Sequence, residues 1–331
     1  MSHPITERCQ TLLRMLNDCP GLVPYWSTGA SGFGDVAIAQ AIRPFMDQLS
    51  DASLRSAFLY ELNQVLLREG NNYESWRHLV AHLLRARLAC DTPVRHPAHP
   101  IVDDAQFRRE LAALLRDHRA NNHPLFARIQ APGFGRAEMR VLIGHYIPIA
   151  QSFHLAVAAL LYHVPLRYRA ELSANLHEEM GSGRLESCHP RKYQVLSDKM
   201  DLEGFVANRE SLDFVNQLIR MFKFATPAIG MGAYTALEVA VADQLDIVGR
   251  RLKELGYVAG DVAFFDEHAD IDVSHARVML DLIHEYAAET GAYGAIIAGA
   301  QTMLDAREKF FDGVLRDLAG ASLPGPGHAR R

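Results

Sequence analysis

A stretch without glycine or proline, from Val262 to Thr290, limits the possible folds of this chain more than any other feature. Its apolar residues recur at helical spacing, so it predicts one long helix. His268, Asp272 and His275 stand at positions i, i+4 and i+7 and therefore project from one side of that helix. Metal ligands on bundle helices use this register. A solvated polar face is the ordinary alternative, because further acidic residues lie close by.

The composition excludes several classes of partner. The chain has 331 residues, is 49% hydrophobic and has a formal net charge of -5, with arginines spread along it. It therefore has no electrostatic footprint for nucleic acid or an anionic membrane. The sequence shows neither a signal peptide nor an apolar run that we expect to span a bilayer. Its four cysteines form no CxxC pair. We expect a cytoplasmic protein with no nucleic-acid or membrane partner.

The predicted fold class is all-α, because helical periodicity dominates and alternating strand patterns are missing from the sequence. The segment from Asp91 to Pro100 contains three prolines, which exclude regular structure there. We therefore expect an N-terminal helical extension over residues 1–100. A helical bundle over residues 101–320 and a disordered tail over residues 321–331 complete the predicted domains.

A second group of ligand candidates contains Glu179, Glu186 and His189. Two glycines loosen the helix between the carboxylates. Glu179 and Glu186 are seven residues apart, so on a near-helical path they share a face, and His189 lies one turn beyond. Glu178 is the alternative to Glu179. Acidic pairs are common on exposed helices, so these carboxylates indicate a metal site only together with the histidine-bearing helix.

Glu238 is a third candidate. It lies in a segment of small and apolar residues from Gly230 to Ala242. A buried, ionised glutamate without a partner costs several kcal/mol, so it needs a cation, a donor network or a proton. Carboxylates and imidazoles without a thiolate suit a non-haem iron or manganese pair inside a helical bundle, and they do not suit a structural zinc.

With these motifs the sequence resembles the haem-oxygenase-like di-iron oxidases and oxygenases, over about residues 120–320. The matching motifs are Asn175…Glu179-Met-Gly-Ser-Gly…His189, Ala-Leu-Glu238, and Phe-Phe-Asp-Glu-His268-x3-Asp272-x2-His275. The resemblance implies a haem-oxygenase-like bundle with six core ligands: Glu179, His189, Glu238, His268, Asp272 and His275. It also matches Glu186 to an extra carboxylate ligand of the members that oxidise nitrogen.

The resemblance implies an O2-activating di-iron oxygenase that binds two iron ions, uses O2 as co-substrate and could draw on an external electron donor. We expect N-oxygenation of the amine of an amino acid or related small metabolite, in natural-product biosynthesis. N-terminal helical additions in this family often serve dimerisation, so we expect residues 1–100 to form the contact of a homodimer. The alternative within the family is oxidation at carbon: desaturation, C–C cleavage or decarboxylation of an amino or fatty acid. Candidate substrate-binding residues near the metals are His154, Tyr234 and Arg307.

Three alternatives belong to other classes. A metal-free thiaminase-like enzyme needs a nucleophilic cysteine, for which Cys188 is the candidate in the bundle. Haem ligation needs a proximal histidine, such as His123 or His145, and leaves the carboxylate set unexplained. A non-catalytic helical binding protein is the third, and metal content separates it from the di-iron hypothesis.

Overall fold

A computed structural model describes residues 4–17, 42–68, 80–81, 84–86, 88 and 94–321, without the side chains of residues 240, 269–273 and 321. The predicted tail beyond residue 321 lies outside the described residues. The chain divides into two compact units, residues 1–93 and 94–331.

The first unit contains α1 (Pro4–Asn17), a short helical turn at 42–46 and α2 (Ala52–Arg68). Apolar side chains such as Leu12 and Leu62 are buried here, and the rings of Phe45 and Phe58 stack with centroids 6.1 Å apart. Burial of this apolar stripe stabilises the pairing of the helices.

The second unit is a bundle of longer helices. They are α3 (Asp104–Asp117), α4 (Pro124–Gln130), α5 (Arg136–His163), α6 (Arg169–Glu179), α7 (His189–Lys199), α8 (Arg209–Ile219), α9 (Pro227–Glu254), α10 (Ala259–Thr290) and α11 (Tyr293–Ala321). Short 3-10 turns link several of them, and a π-helical turn, Arg220–Phe224, precedes α9. The described residues contain no β-strand, which confirms the predicted all-α class.

Side-chain caps fix where several helices begin. Asp103 accepts a hydrogen bond from the backbone N–H of Gln106 at 2.7 Å, and Asn208 accepts one from Ser211 at 2.9 Å. These bonds satisfy backbone donors that have no partner within the helix. At its other end α10 stops at Gly291, whose φ of 68° suits glycine.

Helix α9 lies at the centre of the bundle and packs most extensively against α10 and α11. Glycines make its crossing with α11 unusually close. A Cβ on Gly232 would lie 2.0 Å from the carbonyl oxygen of Ile296, and one on Gly299 would lie 2.0 Å from that of Ile229. The two backbones therefore touch directly, and this contact sets the distance between α11 and α9, the helix that bears Glu238.

Helix α5 corrects one expectation from the sequence. With 28 residues it is long and apolar enough to cross a membrane by length and composition. Pro148 and scattered polar residues interrupt its apolar run, so the pattern in the sequence does not stand out. Core helices pass the same test, and Leu142, Ile143 and Leu160 of α5 are buried in the bundle.

Candidate metal centre

Three helices bring a carboxylate and two imidazoles together inside the second unit. Glu179 ends α6, His189 begins α7, and His268 lies in the first third of α10. All three side chains are buried, at 4%, 6% and 8% exposure. One ligand atom from each lies within 4.8 Å of the others, which makes this group a possible metal site.

The orientation of these side chains suits a shared cation. His268 Nδ1 lies 2.6 Å from the carbonyl oxygen of Phe264, so Nδ1–H donates to that oxygen and Nε2 keeps the lone pair for a metal. His189 Nδ1 lies 2.7 Å from Glu179 Oε2, and both side chains are buried. Two buried ligand atoms this close to each other fit ligation of a common ion.

The charges of the group favour an ionised carboxylate. Burial by itself raises the pKa of Glu179, but His189, His268 and His275 outweigh it and lower that pKa. Burial by itself lowers the pKa of His189, but Glu179 outweighs it and raises that pKa. The mutual shifts show that the negative charge on Glu179 is balanced by imidazoles in the dry interior.

A second group lies beside the first. His275 Nε2 is 2.6 Å from Glu178 Oε2, and His275 Nδ1 is 3.6 Å from Glu238 Oε2. Glu238 is buried at 4% exposure, as its apolar sequence context predicts. The backbone of Asp272 is part of α10, but its side chain lies outside the described residues. Glu178 and Glu179 therefore both face this region, each towards a different histidine.

The structure does not bring Glu186 to either group. The predicted near-helical path from Glu179 is wrong, because Gly181, Ser182 and Gly183 have φ values of 67°, 52° and 85°. These left-handed residues turn the chain, and Glu186 is exposed on a 3-10 turn. A metal-ligand role for Glu186 has no support in this arrangement.

Two charged residues next to His189 were not predicted from the sequence. Glu267 Oε2 lies 3.5 Å from His189 Nε2 and forms an ion pair with Lys192 Nζ. Lys192 stands three residues after His189, on the same face of α7, and Glu267 directly precedes His268. Their closeness in sequence to His189 and His268 is the signal by which the two residues could have been found.

Tyr234 has a different position from the one expected. It is fully buried, its hydroxyl donates a hydrogen bond to Asn175 Oδ1, and it is not among the residues that line the cavity beside the metal site. The expectation of a substrate-binding role failed because Tyr234 faces α6, where Asn175 lies one turn before Glu179.

A cavity opens beside the first group of ligands. Its empty space, including the part open to solvent, is about 830 Å3. Glu179, His189, His268 and Glu238 contribute to its wall, and most of the remaining surface is apolar or aromatic. His154 and Arg307 also line it, as expected for contacts with a substrate. Burial lowers the pKa of His154, which favours a neutral imidazole in this wall.

The residues required by the other classes of function are engaged elsewhere. Cys188 is buried, and its thiol donates to the carbonyl oxygen of Met180 at 3.0 Å. His123 and His145 lie 3.1 Å and 3.0 Å from carboxylate oxygens of Asp312 and Asp317. None of these three residues is among the described residues of the cavity wall.

The fold and this site define an all-α protein with a buried carboxylate–histidine group that could hold a metal ion beside an apolar cavity. The sequence profile of the iron-containing redox enzymes, a haem-oxygenase-like family, matches residues 140–308, just over half of the chain. The chain belongs to this family of iron-containing redox enzymes, as its motifs predicted. No curated protein matches it.

Solved structures agree on the fold. A CADD-like protein of unknown function from Nostoc punctiforme superposes with a TM-score of 0.54 at 16% identity, over 65% of this chain and 97% of the other. A domain of unknown function with a heme oxygenase-like fold from Shewanella denitrificans gives 0.54 at 16%, over 70% and 100%. A TenA homolog from Pseudomonas syringae pv. tomato gives 0.54 at 14%, over 68% and 100%. These likenesses show a haem-oxygenase-like fold.

Proposed function

We propose that this protein is a non-haem di-iron oxidase or oxygenase that uses O2 to oxidise a small organic molecule bound in the cavity. The observation behind the proposal is the buried group of Glu179, His189 and His268, which opens onto an apolar cavity in a chain of the iron-containing redox family. Mixed carboxylate and imidazole donors without a thiolate fit iron.

The two groups of ligands suggest one position for each iron. Glu179, His189 and His268 would hold the first ion. His275, Glu238 and Glu178 would hold the second, and the resemblance adds Asp272, which stands three residues before His275 on α10. When bound, two ferrous ions supply the electrons that reduce O2. The remaining contribution of the chain is to hold these donors in place and to shield them from water.

The walls of the cavity shield the metal-binding side chains from water. Aromatic side chains, among them Phe153 and Phe264, surround the ligands and limit the access of water. Phe264 also fixes His268, because its carbonyl oxygen accepts from the imidazole Nδ1–H. His154, which burial keeps neutral, offers a polar contact in the same wall. A small, largely apolar substrate fits these surroundings.

We favour oxidation at a carbon atom of the substrate. N-oxygenation, the leading expectation from the resemblance, depended on Glu186 as an additional ligand, and Glu186 is exposed. N-oxygenation stays a second candidate on the spacing between Glu186 and His189 alone. Mass spectrometry of products formed under 18O2 separates the two, since only N-oxygenation yields nitrogen-bound label.

Iron binding tests the proposal directly. The full chain is loaded with Fe(II) without oxygen, the iron per chain is measured after desalting, and the absorbance is followed on mixing with O2. We expect about two irons per chain, the number that di-iron sites in helical bundles hold. His268→Ala and His189→Ala should lose iron. His177→Ala is the matched control, because His177 is exposed on α6.

Two outcomes would overturn the di-iron proposal. One is a wild-type chain that retains no iron after anaerobic loading. The other is a His268→Ala variant that keeps as much iron as the His177→Ala control.

A further inference from the structure

The cavity wall contains a buried cation at some distance from the metal ligands. Arg307 on α11 is 4% exposed and lines the cavity. Apart from the imidazoles of His154, His189 and His268, it is the only basic side chain among the described residues of the wall. A guanidinium is always charged and presents a planar fork of donors that matches a carboxylate.

A hydrogen-bonded chain holds this guanidinium in place. Arg307 Nη2 donates to Gln244 Oε1 at 2.6 Å, and Gln244 Nε2 donates to the backbone carbonyl of Ala120 at 3.0 Å. Gln244 is itself buried at 4% exposure. The bond to Ala120 fixes the amide with its oxygen towards Arg307, so the guanidinium is oriented before any ligand arrives.

Aromatic side chains surround the same end of the cavity. The guanidinium carbon of Arg307 lies 5.4 Å from the ring centroid of Phe311, and the rings of Tyr146 and Phe310 pack edge to face at 4.9 Å. Burial raises the pKa of Tyr146 to about 12, against the lowering effect of the Arg307 charge, so its hydroxyl stays protonated. A charged, donor-rich end inside an apolar cavity suits an acid with an apolar body.

The spacing of Glu238 and Gln244 along α9 sets the distance between the metal ligands and the carboxylate-binding end of the cavity. Gln244 follows Glu238 by six residues, which is a rise of about 9 Å along the helix. Val241 lines the cavity between these levels, and Leu245 lines it just beyond Gln244. A carboxylate at Arg307 therefore leaves the reactive atom several bonds from the carboxyl carbon.

We infer that the substrate of the proposed reaction is a monocarboxylic acid with an apolar chain or ring, whose carboxylate binds Arg307 and whose remote end faces Glu179, His189 and His268. This inference rests on the proposed function. The substrate has no α-ammonium group. The carboxylates among the described wall residues are Glu179 and Glu238, both at ligand positions, so an ammonium beside Arg307 would have no acidic partner.

Equilibrium binding to the metal-free full chain tests the inference apart from catalysis. Three probes share one skeleton: 4-phenylbutanoate, 4-phenylbutanamide and 2-amino-4-phenylbutanoate. Calorimetry should show the acid binding at least about tenfold tighter than the amide, as expected for a charge-assisted pair against a neutral one. The amino acid should bind more weakly than the plain acid.

Variants assign the preference to one side chain. Arg307→Gln should bind the acid no more tightly than the amide, and Arg307→Lys should give an intermediate preference, because it keeps the charge and loses the fork. Arg316→Gln is the matched control, since Arg316 lies on the same helix with its side chain 60% exposed and paired with Glu210. The control should bind all three probes like the wild type.

The wild-type comparison of acid and amide decides the matter even if Arg307→Gln does not fold. Equal binding of acid and amide, no binding of the acid, or an Arg307→Gln variant that keeps the preference would each overturn the inference. Tighter binding of the amino acid would overturn its exclusion of an α-ammonium group. Iron content is measured separately, so a chain that selects the acid but binds no iron would reject only the di-iron function.

Discussion

The hydroxyl of Tyr234 donates a hydrogen bond to Asn175 Oδ1 and joins the two helices that supply the buried carboxylates. Tyr234 stands four residues before Glu238 on α9, and Asn175 stands four residues before Glu179 on α6. Both partners are buried, at 0% and 5% exposure. The bond therefore lies one helical turn before each glutamate along the chain, and it holds α6 and α9 at a fixed distance.

Replacement of Tyr234 by phenylalanine should weaken both the fold and the metal site. The change removes the donor to a buried amide oxygen, which we expect to cost about 1–3 kcal/mol of unfolding free energy. Loss of a group that orients ligands should also lower iron affinity by at least about tenfold. Urea denaturation and iron titration measure the two effects. Tyr162→Phe, at a residue 83% exposed on α5, is the control and should change neither.

Glu186→Ala should retain the iron content of the wild type, because Glu186 is exposed and turned away from both groups of ligands. Glu179→Ala should lose iron, since it removes the carboxylate of the buried group. Metal analysis after anaerobic loading compares the two variants. If Glu186→Ala lost an iron while its helical content stayed unchanged, Glu186 would return as a ligand and N-oxygenation would gain support.

Gly232→Ala should destabilise the bundle by at least about 2 kcal/mol, because overpacking forces α9 and α11 apart. The new Cβ would meet the carbonyl oxygen of Ile296 at 2.0 Å. Gly294→Ala on α11 has nothing within 4 Å of its Cβ, so it should be neutral or stabilising by up to about 1 kcal/mol. Thermal denaturation of both variants checks this, and equal stability would contradict the close crossing.

The pH dependence of stability should include a contribution from His145. Burial lowers its pKa against the charges of Asp317 and Glu210, while Arg316 adds to the lowering. Its Nδ1 accepts the backbone N–H of Asn208 at 3.2 Å, a bond that protonation of this nitrogen would break.

Below the unfolded pKa of about 6.5 the unfolded chain binds a proton that the folded chain resists. The stability of the fold therefore declines as the pH falls from about 6.5, the unfolded pKa, through the lower pKa of His145 in the folded chain. His145→Gln should make the decline between pH 7 and 5 shallower, by at most about 1.4 kcal/mol per pH unit. His177→Gln is the control for loss of an imidazole. A decline equally steep in both variants would contradict the prediction.

The sequence determined the helices and most of the candidate metal-binding residues. The apolar periodicity from Val262 to Thr290 predicted a helix, and the structure shows α10 at Ala259–Thr290. The prediction was possible because helical periodicity is a local property of the sequence. The apolar residues on either side of Glu238 in the sequence likewise predicted that its side chain is buried. His268 and His275 could be placed on one face from their spacing alone.

The tertiary structure decided where the chain leaves regular geometry. The left-handed conformations at Gly181, Ser182 and Gly183 have no periodic signature, so the sequence placed Glu186 on a helical path that does not exist. It also could not distinguish the roles of Glu178 and Glu179, which depend on which histidine each one faces.

Contacts between distant residues were equally beyond the sequence. Arg307 and Gln244 are 63 residues apart, yet they meet in a hydrogen bond directly behind the cavity wall that Arg307 lines. Tyr234 was expected to face the substrate and instead pairs with Asn175, 59 residues away. Helical periodicity fixes which face of a helix is buried, but only the packing of whole helices fixes which neighbour that face meets.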